Sequence, residues 1–179
     1  KVARMLGLPY PGGPAIERTA LGQAESPYEL PRAWLPGTSD FSFSGLKAAV
    51  SRLVHDQLGP VEAARIRALA NATTQVTDAS FVADVALAFE LSVVDVLVTK
   101  TVAAAKRLGV ASITLTGGVS ANARLRCALI GASHVPVCLP ALRHSVDNAS
   151  MIAVAGTWGL ERGRVASAAL EPEPGLRLA

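Results

Sequence analysis

The stretch from Ser80 to Arg107 places the tightest constraint on how this chain folds. Val82, Val85, Ala86, Phe89, Val93, Val96 and Leu97 recur at intervals of three and four, the spacing that stacks side chains along one face of an α-helix. Asp78 or Ser80 can cap its start, and Gly109 ends it. A helix of this length must bury its apolar face against other elements, and the residues that follow supply some of them. Ala111 to Thr116, with its Ile-Thr-Leu core, predicts a buried strand. Gly117-Gly118-Val119-Ser120 then turns into a helix over Ala121 to Ile130, and Val135 to Leu139 predicts a second strand. Ser145 to Leu160 predicts a last helix with Asp147 and Asn148 in its first turn. Helices alternating with strands indicate an α/β layer.

Upstream of this unit the chain is broken by proline and glycine. Residues 1 to 8 read as the end of a helix, stopped by Pro9-Tyr10-Pro11-Gly12-Gly13-Pro14, because proline cannot continue a helix and glycine admits otherwise forbidden backbone angles. Ala15 to Ala24 predicts a restarted helix. Ser26 to Ser39 contains Pro27, Pro31, Pro36 and Gly37 and predicts a loop. Phe41-Ser42-Phe43-Ser44 alternates as a short strand does. Residues 46 to 76 predict helix with a break at Gly59-Pro60, and the tail from Glu171 predicts a loose end.

Composition excludes several classes. Of 179 residues, 50% are hydrophobic and 17% charged, enough apolar material for a core and too little charge for a disordered chain. The most apolar run, Val82 to Val98, is interrupted by Asp84, Glu90 and Asp95, which speaks against a membrane span. Cys127 and Cys138 form neither a disulfide framework nor a CxxC metal spacing, so a reducing cytoplasm is expected. The start, Lys-Val-Ala-Arg-Met-Leu, has no initiator Met and no signal-peptide core, which predicts a chain cut from something longer. A net charge of +3 tolerates an RNA partner without demanding one, and 4% aromatics leave little for base-stacking platforms.

Several residues offer chemistry, each beside a plainer reading. Gly117, Gly118 and Ser120 expose backbone N–H groups where a helix begins, and with the helix dipole these favour an anionic or nucleotide ligand. They also make an ordinary tight turn. Asn122 offers a donor and an acceptor, as a ribose or a purine edge requires. Glu17, four residues after Gly13, is placed to meet ribose hydroxyls or simply to be solvated. Asp147 is by default a cap or dipole partner for the last helix, and alternatively a metal ligand. One carboxylate does not make a metal site, and His55, His134 and His144 are scattered. Ser44-Gly45-Leu46-Lys47 fits the SxxK spacing of some hydrolases but has no SDN or KTG companion.

In chain order, YPGGPAIE (Tyr10 to Glu17), DFSFSGLK (Asp40 to Lys47), TGGVSANARLR (Thr116 to Arg126) and SVDNASMIA (Ser145 to Ala153) resemble the threonylcarbamoyladenosine synthase family, once described as O-sialoglycoprotein endopeptidases. The resemblance covers almost the whole chain. It implies an α/β, actin-like or hexokinase-like ATPase fold of two related lobes with the ligand between them. Residues 1–155 would form most of the second lobe, with a helical insertion at about 46–107, and residues 156–179 a C-terminal helix and tail returning to the first. The region from Leu53 to Gln75 matches no motif of the family.

The resemblance also implies an activity: transfer of threonylcarbamoyl from threonylcarbamoyl-adenylate to N6 of the adenosine beside the tRNA anticodon, releasing AMP. By motif, Gly13, Glu17 and Asn122 would bind the adenylate and Gly117 and Gly118 would line the nucleotide site. Asp147 would be a ligand to one divalent metal ion, typically Fe2+. The remaining ligands would come from an HxxxH motif upstream, where a glycine-rich substrate loop and a further carboxylate are also expected. The family often has Thr before this Asp, where Val146 stands here. Implied partners are tRNA, a paralogous subunit and an ATPase. No general base is identified. On this reading Asn122→Ala or Asp147→Ala abolishes transfer and leaves the fold intact. Two other readings stay open: another actin-like ATPase such as a sugar kinase, and a noncatalytic module that only holds a partner.

Overall fold

The computed structural model describes residues 1–69, 78–167, 171 and 175. The expected helical continuation over residues 70 to 76, and nearly all of the tail from Glu171, lie outside the described residues. Among the described residues six α-helices, α1 (Val2–Met5), α2 (Gly12–Ala20), α3 (Ser44–Leu69), α4 (Ala79–Leu108), α5 (Ala123–Ala132) and α6 (Ala149–Glu161), accompany two short strands, β1 (Ile113–Thr114) and β2 (Val137–Cys138). The strands are parallel, pairing Ile113 with Val137 and Thr114 with Cys138. The architecture is α/β and rich in helix.

Helix α4 is 30 residues long and organises the rest. Asp78 caps it, its Oδ1 accepting from the Phe81 N–H at 2.9 Å, and Gly109 closes it in the left-handed conformation at φ 60°, which glycine adopts without the Cβ penalty. Its first half, from Phe81 to Ala88, belongs to one apolar core with Val2, Leu6, Ile16, Ala20, Leu46, Val50 and Val54. Its second half contributes Val94, Val98 and Ala105 to another, with Ile113, Leu125 and Leu129. No helix among the described residues is long and apolar enough to cross a membrane.

Burial on α4 is wider than the predicted stripe and takes in Leu87, Ser92 and Lys100. The reason is the proline-rich loop, which lies along the helix instead of standing in solvent. Ser26 donates its hydroxyl hydrogen to the Asp84 carbonyl at 2.8 Å, Ser92 donates to the Leu30 carbonyl at 3.2 Å, and Arg32 pairs with Asp95 at 2.6 Å. Lys100 Nζ reaches the Trp34 carbonyl at 2.6 Å, and Arg107 donates to Ser39 Oγ at 2.8 Å. Between Asp84 and Arg107 the helix rises about 34 Å. The loop follows it without helix or strand and closes in a turn in which the Thr38 N–H donates to the Leu35 carbonyl at 3.2 Å, as the local Pro36-Gly37 pair favours.

Other boundaries moved for local reasons. Phe41 to Phe43 are coil and not a strand, and Ser44 opens α3. An alternating pattern makes a strand only where a neighbour can take its backbone hydrogen bonds, and here Phe43 packs against the first core instead. Gly12, Gly13 and Pro14 form the first turn of α2 and not a turn before it, since proline is tolerated where helix N–H groups have no partner anyway. The break expected at Gly59-Pro60 is present as a kink, with Gly59 at φ 75°. The strands are shorter than expected, and α5 is preceded by a turn of 3₁₀ helix over Gly118–Ala121.

The two glycines of α2 are not equivalent. A Cβ on Gly12 would lie 2.8 Å from the Cβ of Ala3, a methyl fixed to the α1 backbone, whereas a Cβ on Gly13 meets nothing within 4 Å. Gly12→Ala is therefore expected to cost about 1–3 kcal/mol through overpacking. Gly13→Ala is expected to be neutral or to stabilise by up to about 1 kcal/mol, because it removes backbone freedom within a helix. Urea unfolding of the two variants checks the contrast.

Candidate functional site

The residues singled out at α2, at the Gly-Gly turn and near Asp147 come from distant parts of the chain, and contacts bring their segments together. Gly13 and Glu17 lie four apart on α2, so they share a face. Glu17 Oε1 accepts from the backbone N–H of Ala123 at 2.8 Å. That N–H is one of the unpaired donors at the start of α5, and a carboxylate there is favoured by the helix dipole. Glu17 was expected to be solvated or to meet ribose; in the structure one of its oxygens is held at the turn.

Asn122 is the cap of α5, its Oδ1 accepting from the Leu125 N–H at 2.8 Å. Its Nδ2 donates to Glu90 Oε1 at 2.6 Å. Glu90 is 6% exposed, and its other oxygen takes the Arg124 Nε–H at 2.8 Å. A buried carboxylate persists only when paired and hydrogen-bonded, and both of its oxygens are. In the sequence Glu90 stands only as an interruption in an apolar run. That position was itself the signal, because an acidic residue facing a helical core has to find partners.

The turn itself is built around Gly117, at φ 85°, a value that L side chains rarely adopt. Gly118 is open toward Val146: a Cβ there would sit 4.0 Å from Val146 Cγ1. Arg126 fastens the two segments, donating to the Ser120 carbonyl, to the Pro140 carbonyl at 3.0 Å and to Ser145 Oγ at 3.1 Å. Ser120 and Ser145 are fully buried. The Ser120 hydroxyl has no hydrogen-bond partner among the described residues. Arg126 lies within the TGGVSANARLR block, and nothing in its local pattern marks this role.

Asp147 sits beside this junction, exposed, one residue beyond Val146. It precedes α6 and is not in its first turn. Asn148 is the cap, accepting from the Met151 N–H at 3.3 Å, so the default role expected for Asp147 passes to its neighbour. His144 Nε2 accepts from Arg143 Nε at 3.0 Å. Among the described residues no group of three or more His, Cys, Asp or Glu is close enough to hold a metal ion. Asp147 offers a hard oxygen donor of the kind that divalent ions take, yet the residues present do not by themselves fit a metal site.

Asn122 thus has a structural duty beyond any ligand contact, and its truncation is not neutral to the fold as the sequence reading expected. Asn122→Ala removes a helix cap and strips a buried carboxylate of one partner. It is expected to lower stability by about 1–3 kcal/mol, measurable by urea unfolding.

Comparison with known proteins covers these segments. The model of the family described as tRNA N6-adenosine threonylcarbamoyltransferase matches residues 1–154. Curated relatives bearing that name include one from Geobacillus kaustophilus (strain HTA426), 46% identical over 183 residues, covering 99% of this chain and 48% of the relative. One from Bacillus cereus (strain ATCC 10987 / NRS 248) is 44% identical over 181 residues, covering 98% and 48%. A more distant one, from Dehalococcoides mccartyi, is 40% identical over 164 residues, covering 92% and 44%. The chain spans about half the length of the curated relatives it matches. With the family model covering all of the candidate site and most of the chain, the chain belongs to the tRNA N6-adenosine threonylcarbamoyltransferase family.

Proposed function

We propose that this chain is part of an enzyme that transfers the threonylcarbamoyl group from threonylcarbamoyl-adenylate to N6 of the adenosine beside a tRNA anticodon. The observation that carries the reading is the Glu17 to Ala123 contact, which joins the Pro-Gly-Gly-Pro helix to the Gly-Gly turn within a chain of this family. In the reaction the N6 amine forms a bond to the carbamoyl carbon, the bond from that carbon to the AMP phosphate oxygen breaks, and AMP leaves as the amine releases its proton. Such an enzyme works mainly by alignment. Gly13, Glu17 and Asn122 would bind the adenylate, with Gly117 and Gly118 lining its nucleotide part. Gly13 has nothing within 4 Å of where its Cβ would stand, which leaves room for a ligand at the start of α2.

The fold we infer is the actin-like, hexokinase-like one, with this chain supplying most of its second lobe. Helix α6 supports the idea that a further body packs here. None of its residues is buried, and Met151, Ile152, Val154, Trp158 and Leu160 are all exposed, an apolar surface that a lone soluble unit rarely leaves open. The division drawn at residues 155 and 156 falls inside α6, so on this reading the helix as a whole bridges the two lobes. Asp147 is proposed as one ligand of a divalent ion, iron in the first instance, whose other ligands lie outside this chain. A cytoplasmic setting, a paralogous subunit and an ATPase partner complete the proposal, on the resemblance alone.

The test uses the full-length protein, tRNA and threonylcarbamoyl-adenylate, with the modified nucleoside read by mass spectrometry. Transfer is expected, and Asp147→Ala is expected to reduce it at least about a hundredfold while unfolding at the same urea concentration. Failure to modify tRNA, with phosphorylation of a sugar from ATP, would favour a kinase of the same fold.

A further inference from the structure

Asn122 can face a ligand in either of two ways, because its amide presents a donor and an acceptor and a half-turn exchanges them. The structure fixes which atom takes which partner. Oδ1 is committed to the Leu125 N–H and Nδ2 to Glu90. The cap alone would hold the oxygen, but it lies at a helix end, where hydrogen bonds open most readily. Glu90 is the firmer hold: its carboxylate is an acceptor only, so an amide oxygen turned toward it would be repelled. Arg124 keeps the carboxylate oriented from the other side at 2.8 Å. What remains on Asn122 is one N–H and one oxygen lone pair in a fixed order.

We propose that Glu90 is a positioning residue for nucleotide recognition, acting through Asn122 to fix the order of donor and acceptor that the site offers to a purine edge. This rests on the reading of the Gly117 to Asn122 turn as a nucleotide site. Adenine presents an amino donor at C6 and an acceptor at N1. Hypoxanthine presents the reverse on the same edge, an acceptor at O6 and a donor at N1. An amide held in one orientation matches the first and opposes the second. An amide free to turn matches both.

The experiment measures binding of AMP and of IMP to the full-length protein by calorimetry. The wild type is expected to prefer AMP by about tenfold or more. Glu90→Met keeps the volume and removes the acceptor, and should bring the AMP to IMP ratio close to one. Glu90→Gln can still accept from Asn122 through its carbonyl while Arg124, which is partly exposed, turns to water, so it should keep the ratio within about threefold of wild type. Should Glu90→Met not fold, Glu90→Asp serves, since the shortened carboxylate cannot reach both partners and the ratio should fall by about threefold or more. A purely structural role would weaken both nucleotides alike and leave the ratio alone. An unchanged ratio in the folded Met or Asp variant, with AMP still bound by the wild type, overturns the role of Glu90 only. A wild type that binds neither nucleotide overturns the nucleotide reading of the turn and this inference with it.

Discussion

The candidate site depends on a carboxylate buried on α4, the 30-residue helix. Helix α4 serves two apolar cores, the first through buried residues up to Ala88 with Phe89, Leu91 and Val93 packed against it, the second from Val94 onward, and Glu90 lies near the change from one to the other. Removing a charge from water costs several kcal/mol unless partners replace the lost hydration. The partners are Asn122 and Arg124, at the beginning of α5. The α4–α5 packing that buries Leu125 and Leu129 therefore has a polar clasp at one end, and the clasp fixes where α5 must begin.

A second carboxylate reaches the same place from another direction. Glu17 comes from α2, which packs in the first core through Ile16 and Ala20, and takes the Ala123 N–H. The start of α5 is thus tied to both cores. Beyond it, Arg126 binds the turn to the segment around Ser145, which sets the approach to Asp147. Rigid helices position this site, although most of its residues stand on turns, and that combination suits a binding surface.

Much of this was legible in the sequence. The period of α4, its stop at Gly109 and the Gly59-Pro60 kink follow from local rules about spacing and backbone freedom, and the structure contains each of them; of the two candidate caps, Asp78 and Ser80, it uses Asp78. The blocks around Gly13, Ser44, Gly117 and Asp147 carry the resemblance to the family. Contacts between distant residues were harder to read. Nothing local to Ser26 or Lys100 says that a proline-rich loop will lie along a helix, and only the helix it covers decides that. The strand expected at Phe41 to Ser44 failed for a similar reason, since pairing needs a neighbour that a local pattern cannot supply. Glu90 was visible as an acid in an apolar run, but its partners were not, because they lie more than thirty residues away.

The capping role of Asn122 has a consequence for motion. A ligand held by that amide binds only the closed form of the α5 terminus, so its binding free energy adds to the work of opening it, about 2.7 kcal/mol at a concentration a hundredfold above its Kd. Occupancy and local unfolding are then linked quantities. The exchange of the Ala123 and Leu125 amide hydrogens with solvent becomes a gauge of whether the turn is filled, legible without following any reaction.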